Sequence, residues 1–219
     1  MLRMGRLAIR LLLPLALLGS AADAGAEVPR QPPGVLLVLG DSLSAAYGIP
    51  EEQSWVNLLQ ERLGSAYRVE NASVSGETTQ GGLARIVKTL ELYEPDIVII
   101  ELGGNDGLRG LPIASIRDNL RTMTEAVKAA GAQPVLAGML MPPNLGPRYT
   151  EAFEQLYVDV AEATGAALVP FLLDGVAATD EDLMLPDGIH PSAAAQERLV
   201  ENVWEVLAPL VEGDIHASD

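Results

Sequence analysis

The chemistry this chain can do is concentrated in a few loops. Ser42 follows a short apolar run, Val35–Leu39, in the stretch Leu39-Gly40-Asp41-Ser42-Leu43-Ser44. A serine hydroxyl is a weak nucleophile until a base removes its proton. The chain has two histidines. His216 lies close to the C-terminus in a polar tail. His190 lies in Pro186-Asp187-Gly188-Ile189-His190-Pro191 and is the one placed to serve as a base. Asp187 sits three residues earlier, across a glycine that can take a turn conformation. A turn there lets the carboxylate accept from the histidine ring, fixing its tautomer and favouring the imidazolium. The same spacing also fits an Asx-turn in which the aspartate closes on its own backbone. Spacing alone leaves both readings open.

Acyl transfer also needs donors for a developing oxyanion. The backbone N–H groups of Ser42 and Gly76 are two candidates, and the Asn105 amide, in Gly103-Gly104-Asn105-Asp106-Gly107, is a third. Gly76 also reads as an ordinary loop glycine and Asn105 as a turn residue.

These residues must be positioned by regular elements. Short β-type runs occur at 35–39, 67–71, 96–102, 134–140 and 167–171. Asp96–Leu102 is the clearest, because four consecutive apolar residues imply burial on both faces. Helical spacing places helices at 54–63, with Trp55, Leu58, Leu59 and Leu63 on one face, and at 83–92, with Leu83, Ile86, Val87 and Leu90 inward. Further helices are expected at 113–130, 149–164 and 192–207, the first two stopped by Gly131 and Gly165 and the last capped by Ser192. This alternation predicts a three-layer α/β/α domain with a five-stranded parallel sheet. Sites in such sheets form beyond the carboxyl ends of the strands. The polar, glycine-rich stretches holding Ser42, Gly76, Asn105 and His190 all follow strands.

The first 26 residues read as a cleavable secretory signal. Arg3, Arg6 and Arg10 precede the apolar run Leu11–Leu18, and small residues follow. The run is too short to span a bilayer and Pro14 interrupts it. Cleavage after Ala26 leaves 193 residues with 11 basic and 29 acidic side chains, a net charge of −18. Residues 27–34 read as a linker, 35–211 as one domain, and 212–219 as a polar tail. Such acidity argues against nucleic acid as a partner. No disulfide is possible without cysteine. With no cysteine and one histidine in the folded region, a zinc site is disfavoured. No phosphate-binding loop or dinucleotide fingerprint occurs, so no cofactor is expected. The G-x-S-x-G nucleophile elbow is absent as well. No extended apolar face is left over, which points to a monomer, and the signal segment points to export to the periplasm or beyond.

Taken in order, "GDSLS", "SVSGET", "GGNDG" and "DGIHP" resemble the four blocks of the SGNH, or GDSL, hydrolase family, from about Val35 to Leu210. "LGDSLSAAYGI", "NASVSGETTQGGLAR", "ELGGNDGLRG" and "DGIHPSAAAQ" are similar to its secreted thioesterase I / lysophospholipase / arylesterase subgroup. The resemblance implies a flavodoxin-like fold. It also implies Ser42 as nucleophile, His190 and Asp187 as base and orienter, and Ser42, Gly76 and Asn105 as the oxyanion hole. By the same resemblance, Leu108, Arg109, Gly110, Leu111 and Pro112 form an acyl-contacting loop, and Met141 and Pro142 line an acyl groove. The implied substrate is a fatty acyl ester or thioester. Arg109 and Arg148 could meet a phosphate head group or simply be surface residues. Two alternatives stay open: a carbohydrate or short-chain acetyl esterase on the same fold, and a non-catalytic secreted binding protein. Asp41 is expected to brace its loop through backbone hydrogen bonds, and Ser44 to act as cap or support.

Overall fold

The computed structural model describes residues 34–176 and 181–217. The expected signal segment and most of the linker lie outside the described residues.

Five strands form one parallel sheet in the order β2-β1-β3-β4-β5. They are β1 (Gly34–Gly40), β2 (Tyr67–Asn71), β3 (Ile97–Glu101), β4 (Gln133–Ala137) and β5 (Ala167–Val169). The register pairs Leu36 with Val69 and Ile97, and Ile99 with Val135. Six helices accompany the sheet: α1 (Trp55–Leu63), α2 (Thr79–Tyr93), α3 (Gly104–Leu108), α4 (Ile113–Ala129), α5 (Pro147–Thr164) and α6 (Gln196–Ala217).

Alternation along the central strands divides the core in two, because successive side chains point to opposite faces. Leu36, Val38, Ile97 and Ile99 pack with Trp55 and Leu59 of α1 and Leu199, Val203 and Leu207 of α6. Leu37, Leu39, Val98 and Ile100 pack with Ile86 of α2, Leu120 and Met123 of α4, and Phe153 and Tyr157 of α5. No helix of the described residues is long and apolar enough to cross a membrane.

The chain leaves β1 toward β2 on one side and returns to β3 on the other. The crevice at that reversal is where ligands bind in open α/β sheets. It is flanked here by the segments following β1 and β3.

Several boundaries differ from expectation. Helix α2 begins at Thr79, where the Thr78 hydroxyl accepts from Gly81 N–H at 3.3 Å. The Gly81-Gly82 pair lacks side chains and hid this turn from the apolar pattern. Val87 is 58% exposed, so it lies off the buried face. Strand β4 ends at Ala137, with Gly138 N–H making the last rung to β5 at the Val169 carbonyl, 2.8 Å away. Strand β5 likewise stops at Val169. Ser192 does not cap α6; its hydroxyl donates to the Asp182 carbonyl, and a 3-10 turn at Ala193–Ala195 precedes the helix. Helix α6 continues past Leu207 to Ala217 despite Pro209, running into the expected tail. The short helix α3 was not foreseen; two glycines and an Asn-Asp pair read as a turn.

Candidate active site

Gly40 ends β1 directly opposite Glu101 at the end of β3. The next residues, Asp41 to Tyr47, do not form the helix start that the serine's position suggests. They fold as successive turns, with Ala45 N–H to the Asp41 carbonyl at 3.0 Å and Tyr47 N–H to the Ser42 carbonyl at 3.3 Å. Ala46 at φ +55° prevents continuation as a helix. Ser42 is thereby held at the sheet edge with its hydroxyl directed at His190.

The Ser42 hydroxyl lies 2.8 Å from His190 Nε2, and His190 Nδ1 lies 2.7 Å from Asp187 Oδ2. A carboxylate can only accept, so Nδ1 carries the ring hydrogen and Nε2 is left to accept the serine proton. Gly188 at φ +68° makes the Asp–His turn possible. Asp187 Oδ1 also accepts from the N–H groups of Ile189 and His190, at 2.9 and 3.0 Å. The Asx-turn and the ring contact are therefore both present, one on each carboxylate oxygen. The His190 backbone N–H acts most strongly on this carboxyl. Together with Ile189 N–H and the ring, it outweighs desolvation and lowers the pKa to about 2.

The base is clamped from behind. Leu185 N–H donates to the His190 carbonyl at 2.7 Å, and Met184 pairs with Pro191. Buried Gln196 donates to the Pro191 and Ser192 carbonyls and accepts from Trp55 N–H, tying α1 to the histidine segment. The Tyr47 ring packs against the imidazole, with centroids 4.3 Å apart.

Among the described residues, the N–H groups of Ser42 and Gly76 donate to no protein acceptor. Gly76 adopts φ +79° in a tight turn closed by Glu77 N–H to the Val74 carbonyl. Nothing lies within 4 Å of a Cβ built there, so this turn conformation, rather than crowding by the protein, is what demands glycine. Asn105 is placed differently from a free donor. Its amide nitrogen donates to Asp41 Oδ2 at 2.8 Å and to the Glu77 carbonyl at 3.0 Å. Reaching an oxyanion requires one of these hydrogens to be shared. The glycines around it are required by packing. A Cβ on Gly104 would meet Met139 Sδ at 2.9 Å, and one on Gly103 would strike the Tyr157 hydroxyl.

Asp41 braces its loop as expected, accepting from Leu43 N–H at 3.1 Å. Ser44 is a support, donating to Glu101 Oε2 at 2.6 Å. Glu101 was missed, although an acid closing the apolar run of β3 was a visible irregularity. Asp106 was also missed. It is buried and accepts from Thr79 N–H and hydroxyl at 2.8 and 2.6 Å, fastening α3 to α2.

The relay opens into a pocket of about 770 Å³. Leu108, Met141 and Pro142 line it, together with Leu140, Phe171 and Ile189, which the sequence did not point out. Arg109, Gly110, Leu111 and Pro112 are not in its lining. Arg109 instead donates to the Gly76 carbonyl at 3.2 Å, the Leu111 carbonyl accepts from the Tyr149 hydroxyl, and Pro112 starts α4. Arg148 also lies outside the lining.

A serine, a base, an orienting carboxylate and two unused N–H groups beside an apolar pocket can carry acyl transfer. Comparison with known proteins agrees. Esterase TesA of Pseudomonas aeruginosa is 53% identical over 179 residues, covering 80% of this chain and 89% of that protein. Thioesterase 1/protease 1/lysophospholipase L1 of Escherichia coli (strain K12) is 42% identical over 179 residues, covering 82% and 86%. A crystal structure of TesA superposes with a TM-score of 0.78 at 53% identity, covering 80% of this chain and 99% of that one. Residues 38–198 match the GDSL-like Lipase/Acylhydrolase family. The chain belongs to that family and is a serine esterase.

Proposed function

We propose that the chain hydrolyses esters and thioesters of fatty acyl chains through an acyl-enzyme on Ser42. The observation that carries this is the Ser42–His190–Asp187 relay opening into an apolar pocket. Ser42 Oγ attacks the carbonyl carbon while its proton passes to His190 Nε2. The N–H groups of Ser42 and Gly76 hold the oxyanion. Asn105 joins them by sharing a hydrogen now held by Glu77. Collapse expels the alcohol or thiol, which takes the proton from Nε2. Water, deprotonated by the same nitrogen, then attacks the acyl-enzyme and releases the acid. Asp187 keeps the ring oriented and stabilises its imidazolium form.

Leu108, Leu140, Met141, Pro142, Phe171 and Ile189 offer an acyl chain apolar contact and leave a small polar acyl group little to bind. This favours a fatty acyl substrate over the carbohydrate-acetyl alternative. Export by the N-terminal signal is proposed on sequence, and it makes membrane-derived lysophospholipids or external esters more accessible than cytosolic thioesters. A monomer is the proposed state.

Two measurements test the reading. Ser42→Ala is expected to abolish turnover of p-nitrophenyl esters and labelling by a fluorophosphonate; retained activity refutes the nucleophile. Wild-type kcat/KM is expected to rise from p-nitrophenyl acetate to the decanoate. Strong preference for acetate supports the short-chain alternative.

A further inference from the structure

Glu101 is wholly buried at the carboxyl end of β3 and makes no contact that the proposed chemistry uses. Its Oε2 accepts from Asp41 N–H at 3.1 Å and from the Ser44 hydroxyl at 2.6 Å. These two residues lie on either side of Ser42. Its Oε1 has no hydrogen-bond donor among the described residues. The Asp41 side chain in turn accepts from Leu43 N–H and from the Asn105 amide. One buried carboxyl therefore grips the nucleophile loop at both ends, and its neighbour aims the amide of a proposed oxyanion donor. A Cβ on Gly40 would lie 2.6 Å from Glu101 Oε2 and 2.7 Å from the Ser44 hydroxyl, so the chain keeps that residue small to bring the carboxyl in.

We propose that Glu101 is a positioning residue for the hydrolysis, acting through Asp41 and Ser44 to fix the Ser42 hydroxyl and the Asn105 amide. The proposal rests on the reading of Ser42 as nucleophile. Glu101 acts as the neutral acid. Burial and the nearby Asp41 charge both favour a proton on Glu101. A charged Oε1 in a dry site with no donor would be far more costly than a neutral one. The carboxyl supplies shape and hydrogen bonds here, and its charge is not needed.

The test is steady-state kinetics on a p-nitrophenyl ester, with fluorophosphonate labelling rates and thermal midpoints, for wild type, Glu101→Gln, Glu101→Ala and Ser44→Ala. A loosened nucleophile costs up to about 100-fold in rate. Glu101→Ala is expected to lose on the order of 10- to 100-fold in kcat, with KM within about twofold and labelling slowed in parallel. Glu101→Gln, which keeps the acceptor oxygen and replaces the acid O–H with an amide N–H, is expected to stay within about threefold of wild type. A Glu101→Gln variant as impaired as Glu101→Ala overturns the proposal, since the charge would then be required. So does an effect confined to KM, or none at all. If Glu101→Ala does not fold, Ser44→Ala decides: a lowered kcat supports the proposal and an unchanged one overturns it. Activity retained in Ser42→Ala would remove the underlying nucleophile reading, an outcome separate from any result at Glu101.

Discussion

Asp187 and Glu101 are carboxyls that the fold drives in opposite directions. Asp187 receives two backbone N–H groups and the imidazole, and its pKa falls to about 2. An unfolded aspartate titrates near 3.9, so the folded state binds fewer protons in this range. The stability Asp187 confers is present above about pH 4 and is lost as pH falls toward about 2. Asp187→Asn is expected to lower kcat by up to about 10⁴, because the wrong tautomer would be favoured. The stability gap between that variant and wild type is expected to narrow in denaturant titrations as pH drops through that window. Glu101 lies well above its ordinary value, chiefly because burial disfavours its charge, so the sign reverses. The folded state binds more protons, and stability falls as pH rises from about 4 toward the folded value. The Asp41 charge, from the β1 loop, raises this pKa further and the Ser44 hydroxyl lowers it, while Glu101 in turn raises the Tyr157 phenol of α5. Asp106 of α3 acts on Tyr157, and His190 acts on Asp41. Glu101→Gln removes the titration, so its thermal midpoint is expected to gain on wild type between pH 5 and pH 8. At this scale the nearness of Asp187 to His190 was suggested by a spacing that fits a turn, while Ser42 was pointed out by its place after a strand and by the family resemblance. Glu101 and Asp106 were not legible, because burial decides whether an acid is solvated or structural, and a single chain does not report burial.

Elements bring these residues together through ties that no local pattern announces. Gln196 sits at the start of α6, yet it satisfies Trp55 N–H at the start of α1 and the carbonyl of Pro191 beside the base. Gln196→Ala leaves buried polar groups without partners, a cost of about 1–3 kcal/mol. It is expected to lower the unfolding free energy from denaturant titration by that amount and to reduce kcat more than KM, since Pro191 directly follows His190. The strands were readable from β-type apolar runs and the long helices from their spacing. Helix α3 and the first turn of α2 escaped notice because glycine carries no hydrophobic signal. The loop from Arg109 to Pro112 was placed in the pocket by resemblance. In the structure, Arg109 reaches across to the Gly76 carbonyl, so this part of the loop supports the turn behind the pocket.

At the scale of the whole molecule, the full sequence carries a formal net charge of −16, and the pocket is lined largely by apolar side chains. A neutral ester approaches such a chain without electrostatic cost, while a polyanionic acyl thioester is repelled until salt screens the field. Raising ionic strength from about 0.01 to about 0.15 M, where the screening length shrinks from about 30 to about 8 Å, is expected to increase kcat/KM for acyl-coenzyme A. It should leave p-nitrophenyl decanoate nearly unchanged, and equal responses would rule out field repulsion. The sheet architecture was accessible from the alternation of elements. The order of its strands came only with the flavodoxin-like resemblance, because pairing between strands is a long-range property that no local pattern reports.

The hydroxyl of Ser42 and the imidazole of His190 meet across 148 positions of sequence. A chain emerging from a ribosome carries its proposed nucleophile early and its proposed base almost last. Turnover by the proposed relay must therefore wait until the final helix has docked and drawn the histidine segment into place. Hydrolysis by the proposed relay becomes a report on completed folding, and a partly synthesised chain stays inert toward esters.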